Sequence, residues 1–437
     1  MTFEELNLNR PLLNALTDLG YESPTPIQEE AFPVVMSGRD VVGIAQTGTG
    51  KTFAYLLPIL RQYKFSDQKH PRILIVVPTR ELVLQVVSDI EKLSQYMNVR
   101  CAGVYGGTNI NTQKQLVYNG LDILVATPGR LADLTLSGVL RLKAIQKLVI
   151  DEVDEMLNLG FRGQLVSLLE TLPPKRQNLM FSATLSEDVD KLISSYFFEP
   201  EKVELAAHGT PLEKIIQKAY HIPNYNTKIN LLELLLSKEE ELTKVLVFVE
   251  NKKLADKLYE RIGRKLKHKV GVIHSNKSQN QRLNTLQRFK DGEHRVLIAT
   301  DLVARGLNIP NVSHVINFDI PEVPGDYIHR IGRTGRADND GIAITLVTDA
   351  DRKYQRAIED LMNKEINMVE LPIDLIISQE LIEEENPLLF DKDYLKRAAS
   401  KVPEGAFHEK KGKNKKVNLG GPKKRNPKHG KPIRPKF

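Results

Sequence analysis

VVGIAQTGTGKTFAY, residues 41–55, decides the fold. Val41, Val42 and Ile44 read as a buried strand, and FAYLLPIL after Thr52 reads as the start of a helix. Between them, small residues end in Gly50, Lys51 and Thr52. Such a loop lets backbone N–H groups approach phosphate oxygens, while a lysine adds a point charge and a hydroxyl can hold Mg²⁺. The general phosphate-loop pattern wants glycine five places before Gly50, and Ala45 stands there instead. Strand, loop and helix in this order predict a nucleoside triphosphate site at the carboxyl end of a parallel sheet.

KLVIDEVDEM, residues 147–156, supplies the partner. An apolar strand ends on Asp151 and Glu152, so both carboxylates would face the loop across the sheet. Asp151 can hold Mg²⁺ through water, together with Thr52, and Glu152 can polarise a water aimed at the γ-phosphate. Asp154 and Glu155 are accounted for by the preference of acids for a helix N-terminus. A kinase does not need a water-activating Glu at this place, which favours hydrolysis.

The chain has 437 residues, enough for two or three domains, and 41% of them are hydrophobic, as globular cores require. The longest apolar runs, such as ILIVV at 73–77, fall far short of the ~18 residues of a membrane span. MTFEELNLNR shows no signal-peptide pattern, and the single cysteine, Cys101, reads as a buried reduced thiol in the cytosol. The net charge of +7 is unevenly placed. Residues 410–437 carry ten Lys, two Arg and no acid, which leaves −5 for residues 1–409. That block is expected to be a disordered basic tail attracted to polyanions, RNA and ribonucleoprotein partners above all.

Two series of β-branched runs alternate with helix-length segments, one including RILIVV, DILVAT and NLMFSAT, the other KVLVFVE, RVLIATD and GIAITLV. This alternation predicts an α/β class with two tandem parallel-sheet domains covered by helices. Boundaries follow from composition: a first domain over 1–205, a linker over 206–216 and a second domain over 217–365. An acidic helical extension is expected over 366–409, before the tail.

AQTGTGKT at 45–52, DEVD at 151–154, SAT at 182–184 and HRIGRTGR at 329–336 together resemble the DEAD-box ATP-dependent RNA helicases of bacterial type. The family's loop begins with alanine, which fits Ala45, and Val153 stands in the tetrad's alanine place. The resemblance spans about residues 1–365 and implies two RecA-like domains of the P-loop NTPase fold, with ATP and Mg²⁺ as cofactors. It also implies that Gln46, Thr47, Gly48 and Thr49 line the nucleotide with the residues already named. GYESPTPIQ, residues 20–28, resembles the family's glutamine motif, in which Gln28 would read adenine, Tyr21 would stack on it and Thr25 would brace the loop. Ser182 and Thr184 would bond to the carboxylate motif and couple hydrolysis to closure.

By the same resemblance, RNA would be held by Thr79, Arg80, Gly106, Gly107, Thr127, Gly129 and Arg130 of the first half. The second half would add Gln279, Arg282, Thr300, Asp301 and Arg330, with Phe248 and Arg305 in neighbouring motifs. Arg333 and Arg336 occupy the positions of γ-phosphate fingers, and Gly306 and Asn308 lie near the ribose. Asn308 departs from the family, which usually has Asp there. The implied activity is RNA-stimulated ATP hydrolysis that closes two domains and unwinds short duplexes in the cytoplasm, with no membrane partner. Two rivals remain: an ATP-gated RNA clamp or annealing chaperone, and a DNA-directed motor, which the glutamine motif and SAT disfavour.

Overall fold

The computed structural model of the chain describes residues 1–45, 48–204, 215–237, 242–266, 268–301, 312–335, 341–382 and 385. Two seven-stranded sheets carry the architecture. The first contains β1 (Val41–Ile44), β2 (Ile73–Val76), β3 (Cys101–Val104), β4 (Ile123–Ala126), β5 (Lys147–Asp151), β6 (Gln177–Ser182) and β7 (Glu201–Glu204). The second contains β8 (Ile215–His221), β9 (Val245–Phe248), β10 (Val270–Ile273), β11 (Val296–Ala299), β12 (His314–Asn317), β13 (Gly341–Val347) and β14 (Asn367–Val369).

Every pairing is parallel, for example β1 on β6 with Ile44 opposite Ser182, and β12 on β9 with Asn317 opposite Phe248. The central strands are buried along their length, apart from Lys147 at the start of β5, because helices cover both faces. Edge strand β3 alternates instead, and Cys101 on it is half-buried rather than buried. The orders are β3-β4-β2-β5-β6-β1-β7 and β10-β11-β9-β12-β13-β8-β14. Renumbered from its own first strand, the second order equals the first. The two halves repeat one topology.

Two boundaries move. β8 starts at Ile215, inside the stretch expected as linker, whose earlier residues lie outside those described. The expected helical extension from 366 is not helical where it is described: 367–369 form β14 on β8, and 370–382 contain no helix. Pro372 offers no N–H to a helix, and the backbone finds partners elsewhere. Asn224, Asn226 and Asn230, at the start and within the first turns of helix Tyr225–Ser237, donate side-chain amides to the carbonyls of Ser378, Glu380 and Ile376 at 2.7, 2.9 and 2.7 Å. Ser378 N–H donates to Thr227 Oγ1 at 3.0 Å. Leu371, Leu375 and Ile382 pack on the core of the second sheet. The remainder of that extension, apart from Glu385, and the basic tail lie outside the described residues.

Candidate active site

Gly50 shows why the loop needs glycine. Its φ is +95°, and a Cβ there would sit 2.5 Å from Gln28 Nε2 and 2.8 Å from Thr25 Oγ1. The close approach is used: Gln28 Nε2 donates to the Gly50 carbonyl at 3.1 Å, while Thr25 N–H donates to Gln28 Oε1 at 3.1 Å. An amide side chain has two donors and two lone pairs, so one of each remains for the cavity that Gln28 lines. Tyr21 lines the same cavity, half exposed and edge-on to Phe53 with centroids 5.2 Å apart.

Lys51 opens helix Lys51–Gln62 and is 5% exposed, 3.6 Å from Glu152 Oε1. Its ammonium group has no hydrogen-bond partner among the described residues. Burial alone would lower its pKa, but Glu152, Asp151 and Asp154 outweigh burial and hold it above the ordinary lysine value. Asp151, at the end of β5, accepts from Tyr55 Oη at 3.0 Å through Oδ2, and its Oδ1 is buried without a partner among the described residues. Burial pushes this carboxyl up to about 6, opposed by Lys51 and assisted by Glu152. Glu152 follows in the left-handed region, φ +56° and ψ +49°, a strained place for a residue with a Cβ. Strain of this kind, of the order of 1–3 kcal/mol, persists where the surroundings over-determine the backbone.

The second half closes the cavity. Arg333, 5% exposed, lines it together with Asp151, Glu152 and Lys51, around a volume of about 300 Å³. Burial lowers the Arg333 pKa, while Glu152 and Glu155 pull it back up. His329 Nε2 stands 3.8 Å from Asp154 Oδ2 across the same junction. That oxygen also accepts from Ala183 N–H at 3.2 Å, Thr184 N–H at 3.0 Å and Thr184 Oγ1 at 3.0 Å. Asp154 is therefore a buried hub, not a solvated helix-start acid, and Glu155 is equally buried. Thr184 meets the carboxylate motif as expected. Ser182 does not: its hydroxyl donates to the Thr184 carbonyl at 2.7 Å, and its own carbonyl accepts from Ala45 N–H at 3.0 Å.

A second cleft, of about 750 Å³, gathers Thr79, Arg80, Gly106, Gly107, Thr127, Gly129 and Arg130 from the first half with Gln279 and Arg282 from the second. Glu81 joins the halves: Gln279 Nε2 donates to Oε1 at 3.3 Å and Arg282 Nη2 lies 3.1 Å from the same oxygen. Gly107, at φ +78°, lies under the Arg80 guanidinium, which a Cβ would strike at 2.1 Å. Arg80 has a lowered pKa because burial, Arg282 and Arg130 all oppose its charge. A cleft crowded with arginines suits a polyanion. Arg130, however, is 8% exposed and donates to Gln113 Oε1 at 2.7 Å and to the Thr108 carbonyl at 3.1 Å, so it braces the glycine turn.

Arg330 corrects the sequence reading more sharply. It is 3% exposed and bidentate to Asp301 at 2.6 and 2.6 Å, donates to the Asp319 carbonyl at 2.6 Å, and lies 5.1 Å from the Phe248 ring centroid. Neither Arg330 nor the buried Phe248 has a free face for RNA, and Asp301 is occupied by that pair. Thr300 is buried at the end of β11, its N–H donating to the Ile273 carbonyl at 3.3 Å. Gln46, Thr47, Arg305, Gly306, Asn308 and Arg336 lie outside the described residues. Sequence reasoning missed Glu81, Tyr55, His329 and the role of Asp154. The retained acid at the end of DEVD and the His beginning HRIGRTGR were the available signals for two of these.

Residues 25–192 match the DEAD/DEAH box helicase family and residues 227–338 the helicase conserved C-terminal domain. The RNA helicase CrhR of Synechocystis is 38% identical over 85% of this chain and 75% of its own. The ATP-dependent RNA helicase RhlB of Pseudomonas syringae is 38% identical over 86% of this chain and 96% of its own. Among solved structures, S. cerevisiae Dbp5 bound to RNA and ADP BeF3 superposes with TM-score 0.77 at 28% identity, covering 92% of this chain and 99% of that one. A Dbp5 variant bound to Nup159, Gle1, IP6 and ADP reaches 0.59 at 27% identity, over 90% and 99%. With the phosphate loop, the DEVD acids and the arginine of the second half around one cavity, the chain belongs to the DEAD-box ATP-dependent RNA helicases.

Proposed function

We propose that RNA bound in the second cleft and ATP bound in the first hold the two sheets together, and that hydrolysis releases them, separating short RNA duplexes locally. One observation carries this reading: Arg333 of the second half lines the cavity of Lys51, Asp151 and Glu152, so the catalytic set is complete only when both halves meet. Lys51 neutralises the β- and γ-phosphates, Glu152 orients and deprotonates the attacking water, and Arg333 stabilises charge on the transferred phosphoryl group. Gln28 selects adenine with its remaining donor and acceptor, and Tyr21 stacks on the base. Asp154, through Thr184 on one side and His329 on the other, reports the state of the site to both halves.

The unpartnered Asp151 Oδ1 and the neighbouring Thr52 fit Mg²⁺ held through water. Bound there, the ion would neutralise phosphate charge. Asn308, near the ribose by the family pattern, and Arg336, as a second finger, complete the proposal for residues outside those described. RNA recognition falls to Arg80, the Gly106–Gly107 turn and the Gln279–Arg282 helix start, with 2′-hydroxyl contacts distinguishing RNA from DNA. No helix among the described residues is long and apolar enough to cross a membrane, and we place the enzyme's work in the cytoplasm.

The basic tail acts as a tether for RNA or ribonucleoprotein. Ending the chain at Glu409 should weaken RNA binding and flatten its salt dependence. With half of the twelve charges engaged, the log–log slope would change by about four.

Strand displacement tests the reading. The full chain should separate a short RNA duplex with ATP, and Glu152→Gln should bind ATP and RNA yet displace almost nothing. Tight ATP-dependent RNA binding without displacement by the unmodified chain would favour the clamp instead.

A further inference from the structure

Helix Ile110–Tyr118 begins beside the Gly106–Gly107 turn of the RNA cleft and runs about 13 Å along the edge of the first sheet. From Arg100 to Leu121 the chain has no Asp or Glu. At the far end of the helix Tyr118 is 68% exposed, and Lys69 Nζ lies 5.5 Å from its ring centroid. Beside it, loop 63–72 presents Phe65, 49% exposed, with the Arg100 guanidinium 5.6 Å from that ring. Neither ring belongs to a buried core cluster. The loop is held in place: Arg100 Nη2 donates to the Ser66 and Gln68 carbonyls at 2.8 and 2.7 Å, and Leu121 N–H donates to the Lys69 carbonyl at 3.2 Å. The nearby Asp122 is fully buried and neutralised by Arg100 and Arg72 at 2.9 and 3.5 Å, so Asp67 is the one exposed acid of these two segments.

Exposed rings interleaved with cations, on a face where Asp67 is the one exposed carboxylate, are what a single strand needs: charge for its backbone and flat surfaces for its bases. A protein-docking patch would instead present contiguous aliphatic surface, and here Leu116 is the exposed aliphatic of the helix. We propose that helix Ile110–Tyr118 and loop 63–72 form an auxiliary surface for single-stranded RNA, continuing the strand that leaves the motif cleft past Gly107. Bases stack on Tyr118 and Phe65, and Lys69 with Lys64 and Lys114 follows the phosphates. The surface lengthens the bound strand and adds nothing to hydrolysis.

This rests on the RNA-helicase reading, and one experiment separates the two. The full chain and its Tyr118→Ala/Phe65→Ala variant are titrated with oligouridylates of about 8 and about 20 nucleotides, extended on either end, with a non-hydrolysable ATP analogue. The unmodified chain should bind the longer strand more tightly. The variant should lose about 5- to 30-fold on the longer strand, with little change on the short one or in saturated turnover. Lys69→Glu, at an exposed side chain, should weaken long-strand binding most at low salt. The tail is present throughout, so it cannot produce the difference. The same gain with length in variant and unmodified chain overturns the surface. Failure of the short strand to bind or to stimulate the unmodified chain overturns the helicase reading instead.

Discussion

Arg330 and Arg333 share one short segment and do different work. Arg330 is locked to Asp301 and the Asp319 carbonyl inside the second half, so Arg330→Ala leaves Asp301 without its counter-charge. Breaking such a pair costs about 3–5 kcal/mol, and the expected result is a marked fall in the unfolding midpoint of the protein. Arg333 faces Glu152 and Glu155 across the junction, so Arg333→Ala should cut RNA-stimulated turnover by about 10³-fold or more while moving the midpoint far less. Unfolding curves and turnover on both variants check the contrast.

Asp89, on the wall of the nucleotide cavity, gives a pH signature. Burial raises its carboxyl from 3.8 to about 6, against the lowering effects of Lys92, Gln85 and, across the junction, Lys290. Because the folded state binds this proton more tightly than the unfolded chain, stability declines as pH rises from about 4 to about 6. Asp89→Asn should therefore gain stability relative to the unmodified chain across that window and hold the gain above it, as denaturant midpoints at several pH values would reveal.

At the scale of elements, the strands and the loop before Lys51 were legible because buried parallel strands write themselves as apolar runs and phosphate loops as small residues. The segment 370–382 was not. Its acidic composition suggested a helix, whereas its structure comes from an external partner, the asparagine face of helix Tyr225–Ser237, which no local pattern records. Arg330 was misread for a related reason: an arginine's spacing shows its charge, not the carboxylate folded against it. Cutting the chain after Glu365, the boundary that composition suggests, would remove β14 and expose the core under Leu371, Leu375 and Ile382. That truncation should unfold at lower denaturant than a chain ending after Ile382, and equal midpoints would show the segment to be dispensable.

Across the whole molecule, one topology is used twice and loaded differently. Where the first sheet sets Lys51 opposite the acids that follow β5, the second sets Lys228 3.4 Å from Asp319, which follows β12, and 3.4 Å from Asp351. In the second half those two carboxylates pair with the lysine, and the Glu250 carboxyl beside them is raised by burial, Asp319, Glu322 and Asp351. The second half instead contributes Arg333 to the cavity around Lys51. The duplication is faint in the sequence because only strand order preserves it. Its consequence is a divided active site. The most direct measurement is steady-state hydrolysis of ATP, and of GTP in parallel, by the full chain with and without single-stranded RNA. Hydrolysis that requires both RNA and ATP is the expected result; equal turnover without RNA would contradict a site completed by closure of the two halves.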